Sequence, residues 1–486
     1  MAAMTPRRRG SASTRLPARK PEPVSSTVAM APRDLNTIRS GPMPGREAAV
    51  VSGWGGGPGV DVTLIRPRTI DELRNVVSPG PGSGTIARGM GRSYGDAAQL
   101  RAGTVLDVTG LRSFELDAGS GIVTAQAGAT LGQLLRALAP AGWILPVVPG
   151  TQHVTIGGAI ASDVHGKNHG VAGTFGSHVL ALGLLTPSGD VLTVTPSDGG
   201  ELMAATIGGM GLTGVIVWAS IKLGRLGSAA LSVDTDRVER LDDALSILDG
   251  PGGPFRVAWL DLLGTTPVRG VVTRAARLAE DPSRKSQTTV AARWNVPAWW
   301  PGGLLRPTTV RAFNELRFRG TPRHQVGYPE SFGAHMFPLD VLEGWPRLYG
   351  RYGLVQYQFV VPRGQEGTLE RVIARLRHSG VSCYLAVLKD FGPANHAPLS
   401  FPLTGWTLTL DMPRAAPGLE LLLRGFDQLV AQAGGRVYLA KDWRLRSDVL
   451  EAMYPRLARW RAVRDQADPD RRWRSDLGLR TGLIEP

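Results

Sequence analysis

Residues Thr130 to Leu138 place apolar side chains at Leu131, Leu134, Leu135 and Leu138, the three-and-four spacing of a helix with one buried face. Thr69–Val77 repeats that design, with Thr69 placed to cap the helix and Asp71 and Glu72 in its first turn. Short apolar runs at Thr63–Arg66, Thr104–Val108 and Val123–Ala125 read as strands. Further on, two apolar runs flank Pro187-Ser188-Gly189-Asp190, the signal of a hairpin. Residues 206–223 lead from a glycine-rich turn into another β run, and from about 228 to 430 the texture shifts to longer alternating strands and helices rich in Trp and Pro. A strand at Arg436–Ala440 and one helix from about Ser447 to Ala467 close the pattern. No internal repeat interrupts it.

These textures predict four parts: a disordered basic leader (1–46), a glycine-rich first domain (47–227), a second domain (228–430), and a C-terminal segment (431–486) that returns to the first. With 486 residues, two or three packed units are expected. The formal charge of +14 suggests nucleic acid at first sight, but nine Lys and Arg against Glu22 and Asp34 give the leader half of that excess. Such a Pro/Ser/Arg-rich leader buries too little apolar surface to fold. The remainder, spread over 440 residues, suits a soluble or membrane-peripheral enzyme that meets anionic ligands. No zinc-finger, helix-turn-helix or RNP pattern supports a nucleic-acid partner, and none is expected.

The leader has Arg7–Arg9 but no apolar stretch behind them, so no signal peptide is well formed, and no apolar run has the length of a membrane span. A single cysteine, Cys383, excludes an internal disulfide and thiolate-built structural zinc. Four of the eight histidines, His153, His165, His169 and His178, fall in one glycine-rich stretch without metal-ligand spacing, so no metal site is expected.

The chemistry is carried by three glycine clusters. Gly89-Met90-Gly91-Arg92-Ser93-Tyr94-Gly95 lets backbone N–H groups approach an anion closely, and a phosphate is the natural guest. The spacing is neither a dinucleotide fingerprint nor a Walker loop. With Gly150, Gly157-Gly158 and Gly211 following beside apolar strands, the series fits an extended cofactor bearing a pyrophosphate better than it fits scattered turns.

The segments ARGMGRSYGDAA, PGTQHVTIGGAIASDVHGKNHGVAGTFG and GGMGLTGVI resemble the vanillyl-alcohol-oxidase (PCMH) type of FAD-binding fold. With VQYQFVVP, LAVLKDFGPANHAPLSFPLTGW, YLAKDWR and AMYPRLARWRAVRDQADP, the chain resembles the decaprenylphosphoryl-β-D-ribose 2′-oxidase family over about residues 50–480. The resemblance implies an α+β fold in which 47–227 binds FAD and 228–430 forms an antiparallel-sheet substrate domain. It implies FAD contacts at Ala87, Arg88, Gly89, Met90, Gly91, Arg92, Ser93, Tyr94, Gly95, Asp96, Ala97, Gly150, Thr155, Ile156, Gly157, Gly158, Ser162, Asp163, Val164, His165, Val215 and Tyr438. Relatives in the wider fold bind flavin covalently through a histidine where this chain has Arg92; arginine cannot form that bond, so the FAD is expected to be non-covalent.

The implied reaction oxidises a ribose 2′-hydroxyl of a lipid-linked phosphoribose to a ketone, with hydride passing to the flavin, for arabinan synthesis in the actinobacterial cell wall. A separate NAD(P)H-dependent keto-reductase then completes epimerisation. Lys441, His165 and Lys167 are the candidate catalytic residues, with Tyr94, Trp259, Gln356, Gln358, Lys389, Phe391 and Thr409 as candidate substrate contacts. Alternation places Gln356 and Gln358 on one strand face. Only six of 55 basic residues are Lys, and three fall in these motifs. Thr409 stands where the family commonly has cysteine, and Met336 and Val257 where polar residues are usual. The family implies a location at the cell envelope, peripheral to the plasma membrane. An FAD-dependent oxidase of a soluble sugar, alditol or aldonolactone is the rival reading.

Overall fold

The computed structural model describes residues 44–77, 84–264, 268–280, 287–300, 302 and 304–485. The predicted leader lies outside these residues up to position 43; Arg46 already opens the first strand, Arg46–Val51.

Two sheets form the glycine-rich half. Four strands, ordered Arg46–Val51, Val60–Ile65, Thr104–Asp107 and Thr85–Arg88, make a mixed sheet whose first pair is antiparallel and whose last three strands are parallel. Five antiparallel strands follow, ordered Phe114–Asp117, Ile122–Gln126, Val215–Lys222, Val179–Leu185 and Val191–Val194. The last two are the hairpin expected from Pro187–Asp190, where Gly189 takes φ +91°. The helix Leu131–Leu138 buries the four leucines that predicted it. Thr130 caps it by accepting from Gln133 N at 3.2 Å while Gln133 Oε1 accepts from Thr130 N at 2.9 Å, a closed capping box.

The third sheet has eight strands, ordered His324–Ser331, Ala230–Val238, Arg269–Arg277, Phe255–Asp261, Leu385–Phe391, Gly405–Pro413, Leu354–Pro362 and Arg436–Val437. Along Leu354–Pro362, Tyr357 and Phe359 point to the face covered by the helices Glu366–Ser379 and Leu419–Gln432, where a large apolar core forms. Alternation sends Gln356 and Gln358 to the opposite face. The strand expected at Arg436–Ala440 is shorter than the sequence suggests. Only Arg436–Val437 pairs, and Leu439–Lys441 turns as a single 3₁₀ coil that lifts Lys441 away from the sheet edge.

The helix expected over 447–467 is two helices, Ser447–Met453 and Leu457–Ala467. Pro455 between them has no N–H to donate, and its ring disfavours helical backbone at Tyr454. Beyond it, Trp460 Nε1 donates to Ala205 O at 2.9 Å, and Trp473 bridges to Thr85. Arg480 grips Asp96 and Asp442, with Nη2 at 2.8 and 2.9 Å. Among the described residues, no helix is long and apolar enough to cross a membrane.

Candidate active site

A cavity of about 860 Å³ runs between the glycine-rich loops and the uncovered face of the eight-stranded sheet, near the upper end of the range for ligand sites, about 300–1,000 Å³. Its floor is a row of register partners, Thr409 opposite Val387, Val387 opposite Trp259 and Trp259 opposite Val271, and the row continues behind the cavity to Gln358 opposite Thr409. The neighbouring row pairs Asp411 with both Gln356 and Leu385.

The opposite wall carries Ala87, Gly89 to Tyr94, Ala97, Gly150, Thr155, Gly157, Gly158, Ser162, Val164, His165 and Tyr438. Among the described residues, the backbone N–H groups of Met90, Gly91, Arg92 and Ser93 donate to no other protein group. Gly91 adopts φ +60°, and a Cβ on Gly150 would meet nothing within 4 Å. Free donors on a tight loop, with open space beside Gly150, are what a pyrophosphate-bearing cofactor requires, so these residues fit such a group. Tyr94 N donates to Ala440 O at 3.0 Å, which joins this cradle directly to the Lys441 segment.

Six expected contacts do not reach the wall. The Arg88 guanidinium donates to Ala98 O and Ser52 O, so it braces the loop from behind. A Cβ on Gly95 would come within 1.8 Å of Asp442 O, so this glycine is a packing residue. Asp96 is held by Arg480. Ile156 is fully buried in the neighbouring core. Asp163, at φ +40°, accepts from Gly176 N, Asn395 Nδ2 and Ser400 Oγ, turned away from the cavity. Val215 faces the core, and its neighbours Gly214 and Ile216 line the cavity instead, as alternation requires.

Of the expected substrate contacts, Tyr94, Trp259, Gln356, Lys389 and Thr409 line the cavity, as do His165, Lys167 and Lys441. Gln358 and Phe391 sit one layer behind. Gln358 Nε2 donates to His165 Nε2 at 3.0 Å and to Thr407 Oγ1 at 3.0 Å. With Nε2 accepting, the His165 proton lies on Nδ1, which has no partner among the described residues. Phe391 meets the same imidazole edge-on at 4.8 Å. Burial, together with nearby Lys389, His169 and Lys441, holds His165 well below the usual histidine range, so the ring is neutral.

The three lysines are shifted by burial as well. Lys441 falls to about 7, with Lys389 lowering it further and Asp411 opposing; Lys389 and Lys167 each fall to about 8. Lys441 Nζ lies 5.7 Å from the Tyr94 ring centroid, and Lys167 Nζ donates to His335 O. Asp442 does not pair with Lys441: it accepts from Arg480 and from the backbone of Arg444 and Leu445.

Several participants escaped sequence reading. Asp411, fully buried, is pushed up to about 7 by desolvation while Gln356 Nε2 donates to it at 2.7 Å. Two residues from Thr409 on one strand, it was within reach of alternation. Trp54 lies under Arg92, with the guanidinium carbon 3.6 Å from its ring centroid, and Trp345 approaches Tyr94 at 6.4 Å. No local pattern marks either. Cys383 is buried, donates to Leu385 O at 3.3 Å, and has its thiol pKa pushed far up.

Residues 63–195 match a family described as FAD binding domain, and residues 411–480 match one described as D-arabinono-1,4-lactone oxidase. The chain is 39% identical over 418 residues to a decaprenylphosphoryl-β-D-ribose oxidase of Mycolicibacterium smegmatis, covering 83% of this chain and 90% of that protein. It is 38% identical over 371 residues, 73% of this chain and 100% of the relative, to a Streptomyces coelicolor protein named "uncharacterized protein in mprA 5′ region". To an L-gulono-1,4-lactone dehydrogenase of Mycobacterium tuberculosis it is 25% identical over 445 residues, 88% of this chain and 98% of that protein.

Proposed function

The chain belongs to the family of decaprenylphosphoryl-β-D-ribose oxidases, FAD-dependent oxidoreductases of the vanillyl-alcohol-oxidase type of α+β fold, and from that premise we propose how its residues carry out the reaction. It oxidises the 2′-hydroxyl of decaprenylphosphoryl-β-D-ribose to the 2′-ketone, the first half of an epimerisation that supplies arabinose for cell-wall arabinan. The observation that carries this reading is the meeting of two walls: a loop of free backbone donors, and a sheet face on which Lys389, with Lys167 and Lys441 from flanking loops, lines the same cavity.

The Met90–Ser93 loop would hold the cofactor's pyrophosphate, with Gly150 leaving room beside it and Gly157-Gly158 packed against Ala127 and Thr155 at the wall. FAD, when bound, supplies the acceptor for the hydride that leaves C2′. Lys441, with a pKa near 7, is neutral in a useful fraction of molecules and takes the proton of the 2′-hydroxyl as the C–H bond breaks. Asp411 lies close enough to favour the ammonium so formed. Neutral His165, fixed by Gln358, presents its Nδ1–H to the polar end of the bound molecules, and Tyr94 and Gln356 line the same end.

No bond to flavin is available from Arg92, whose guanidinium stacks on Trp54, so FAD is held non-covalently. A ketone product needs a second enzyme with a reduced nicotinamide to return hydride from the other face. Trp299, Leu304, Phe313 and Leu316 are exposed beside Arg306, Arg311 and Arg319, a surface suited to an anionic bilayer. In this reading the enzyme works at the cell envelope, peripheral to the plasma membrane, and that exposed apolar and basic surface supports it.

The decisive experiment adds decaprenylphosphoryl-β-D-ribose to the oxidised holoenzyme without oxygen. The visible flavin band is expected to bleach, with no bleaching by free ribose, alditols or aldonolactones. Bleaching by the free sugars but not by the lipid would refute the assignment.

A further inference from the structure

Lys167, Lys389, Lys441 and Arg317 all line one cavity. Among the described residues, none has a carboxylate at ion-pair distance. Glu315, on the same helix as Arg317, is engaged by Arg269 and Arg319, and Glu330 on the cavity wall is taken by His335 Nδ1 at 2.9 Å. Asp411, Asp390 and Glu330 act on Lys441, Lys389 and Lys167 only from beyond ion-pair distance, so the like charges around one space still repel and an anionic guest offsets that cost. The cofactor's phosphates do not account for them, because free backbone N–H groups already serve that end.

The cations form a sequence. Lys441 faces Tyr94 at the reacting end. Lys389 depresses both Lys441 and Lys167, whereas Arg317 acts on Lys167. Arg317 is exposed at the mouth, with its guanidinium carbon 5.0 Å from the centroid of Trp259, and comes from the helix Pro307–Gly320. Phe313, one turn earlier on the same helix face, also lines the cavity and is exposed.

We propose that Arg317 and Lys167 form the subsite that grips the phosphodiester of the lipid-linked substrate, with Phe313 receiving the first part of the prenyl chain as it leaves the mouth. This rests on the functional reading above. The guanidinium fork suits two non-reacting phosphate oxygens, and the Lys167 ammonium, anchored through His335 O, supplies the inner charge.

The test compares farnesylphosphoryl-β-D-ribose with the uncharged farnesyl β-D-riboside, using holoenzyme with Arg317, R317Q or R317K. R317Q should raise KM for the phosphorylated substrate about tenfold with kcat within about twofold, and leave the riboside unaffected. R317K should recover most of the loss. Binding to the oxidised holoenzyme, followed by tryptophan fluorescence, should weaken by the same factor. An unchanged KM and affinity in R317Q, or equal losses for both substrates, would overturn the subsite. Wild-type holoenzyme that binds the phospholipid in an Arg317-dependent way but never oxidises it would keep the subsite and overturn the functional reading instead.

Discussion

Asp163 is the most informative single residue to change, because it was expected to touch the cofactor and instead props up residues that do. Its carboxylate accepts from Gly176 N at 3.0 Å, Asn395 Nδ2 at 2.7 Å and Ser400 Oγ at 2.5 Å, with no exposure and a backbone φ of +40°. In Asp163→Ala the serine hydroxyl can rotate to another acceptor and the half-buried Asn395 amide keeps Thr174 Oγ1 at 2.8 Å, but the Gly176 N–H is left buried and unmet, at about 1–3 kcal/mol. Left-handed backbone under an alanine adds about 1 kcal/mol. Against this, the mutation relieves a buried carboxylate of its own desolvation, which raises its pKa in the native protein. A net loss of about 2 kcal/mol follows for Ala. Asp163→Asn keeps one acceptor and tolerates the same backbone, so about 1 kcal/mol is expected there. Ser162, Val164 and His165 on either side line the cavity; if half of the Ala penalty falls on that loop, FAD affinity drops about fivefold. Urea unfolding read by tryptophan fluorescence gives the stability change, and titration of apoprotein with FAD gives the affinity. An Ala variant with wild-type midpoint and wild-type FAD affinity would refute the reasoning; an Asn variant as damaged as Ala would show that charge, and not shape, is what the site needs.

Lys441→Met should abolish turnover while FAD is retained, and it should stabilise the apoprotein in a pH-dependent way. Native Lys441 titrates near 7 instead of 10.5, so between those values the unfolded chain binds more protons and wild-type stability rises with pH. The advantage of Met is therefore largest below about pH 7 and vanishes above about 10.5; urea midpoints at a series of pH values that show the reverse slope would contradict the shift. Thiol-directed electrophiles aimed at the cavity should leave the native protein unlabelled, because Thr409 presents a hydroxyl and Cys383 is buried with its thiol held protonated. Mass spectrometry should show labelling in Thr409→Cys, and a stable adduct on Thr409 itself would disprove this.

Local pattern made much of the cradle readable. Glycine runs need little context, because a residue without Cβ is demanded wherever backbone must approach a ligand, and Gly89, Gly91, Gly150 and Gly157-Gly158 all reach the wall. Family likeness alone over-assigned that wall. Arg88, Asp96 and Asp163 occur in the same motifs because they hold the loops from behind, through Ala98 O, Arg480 and Asn395. Strand alternation placed Gln356 and Gln358 on the right face but could not say which would stand in front: Gln358 lies beneath His165, a contact across 193 residues. The floor row from Gln358 to Val271 joins five strands from four stretches of chain, and register between distant strands leaves no mark in any one of them. Trp54 and Trp345 reach the site for the same reason.

The scarcity of lysine acquires a physical sense at this cavity. Inside a partly desolvated space, a cation without a counter-charge is tolerable only if it can discharge itself, and an ammonium can do so near neutral pH whereas a guanidinium cannot. Lys167, Lys389 and Lys441, shifted to about 8, 8 and 7, occupy the interior. Arg317 occupies the mouth, where desolvation lowers its pKa but leaves a guanidinium charged, and its fork can close on an arriving phosphodiester. With values close to neutral pH the inner lysines exchange protons readily, and an anion beside them favours the charged form, which couples their protonation to the arrival of cofactor and substrate. A chain otherwise committed to arginine retains lysine where the charge has to be reversible.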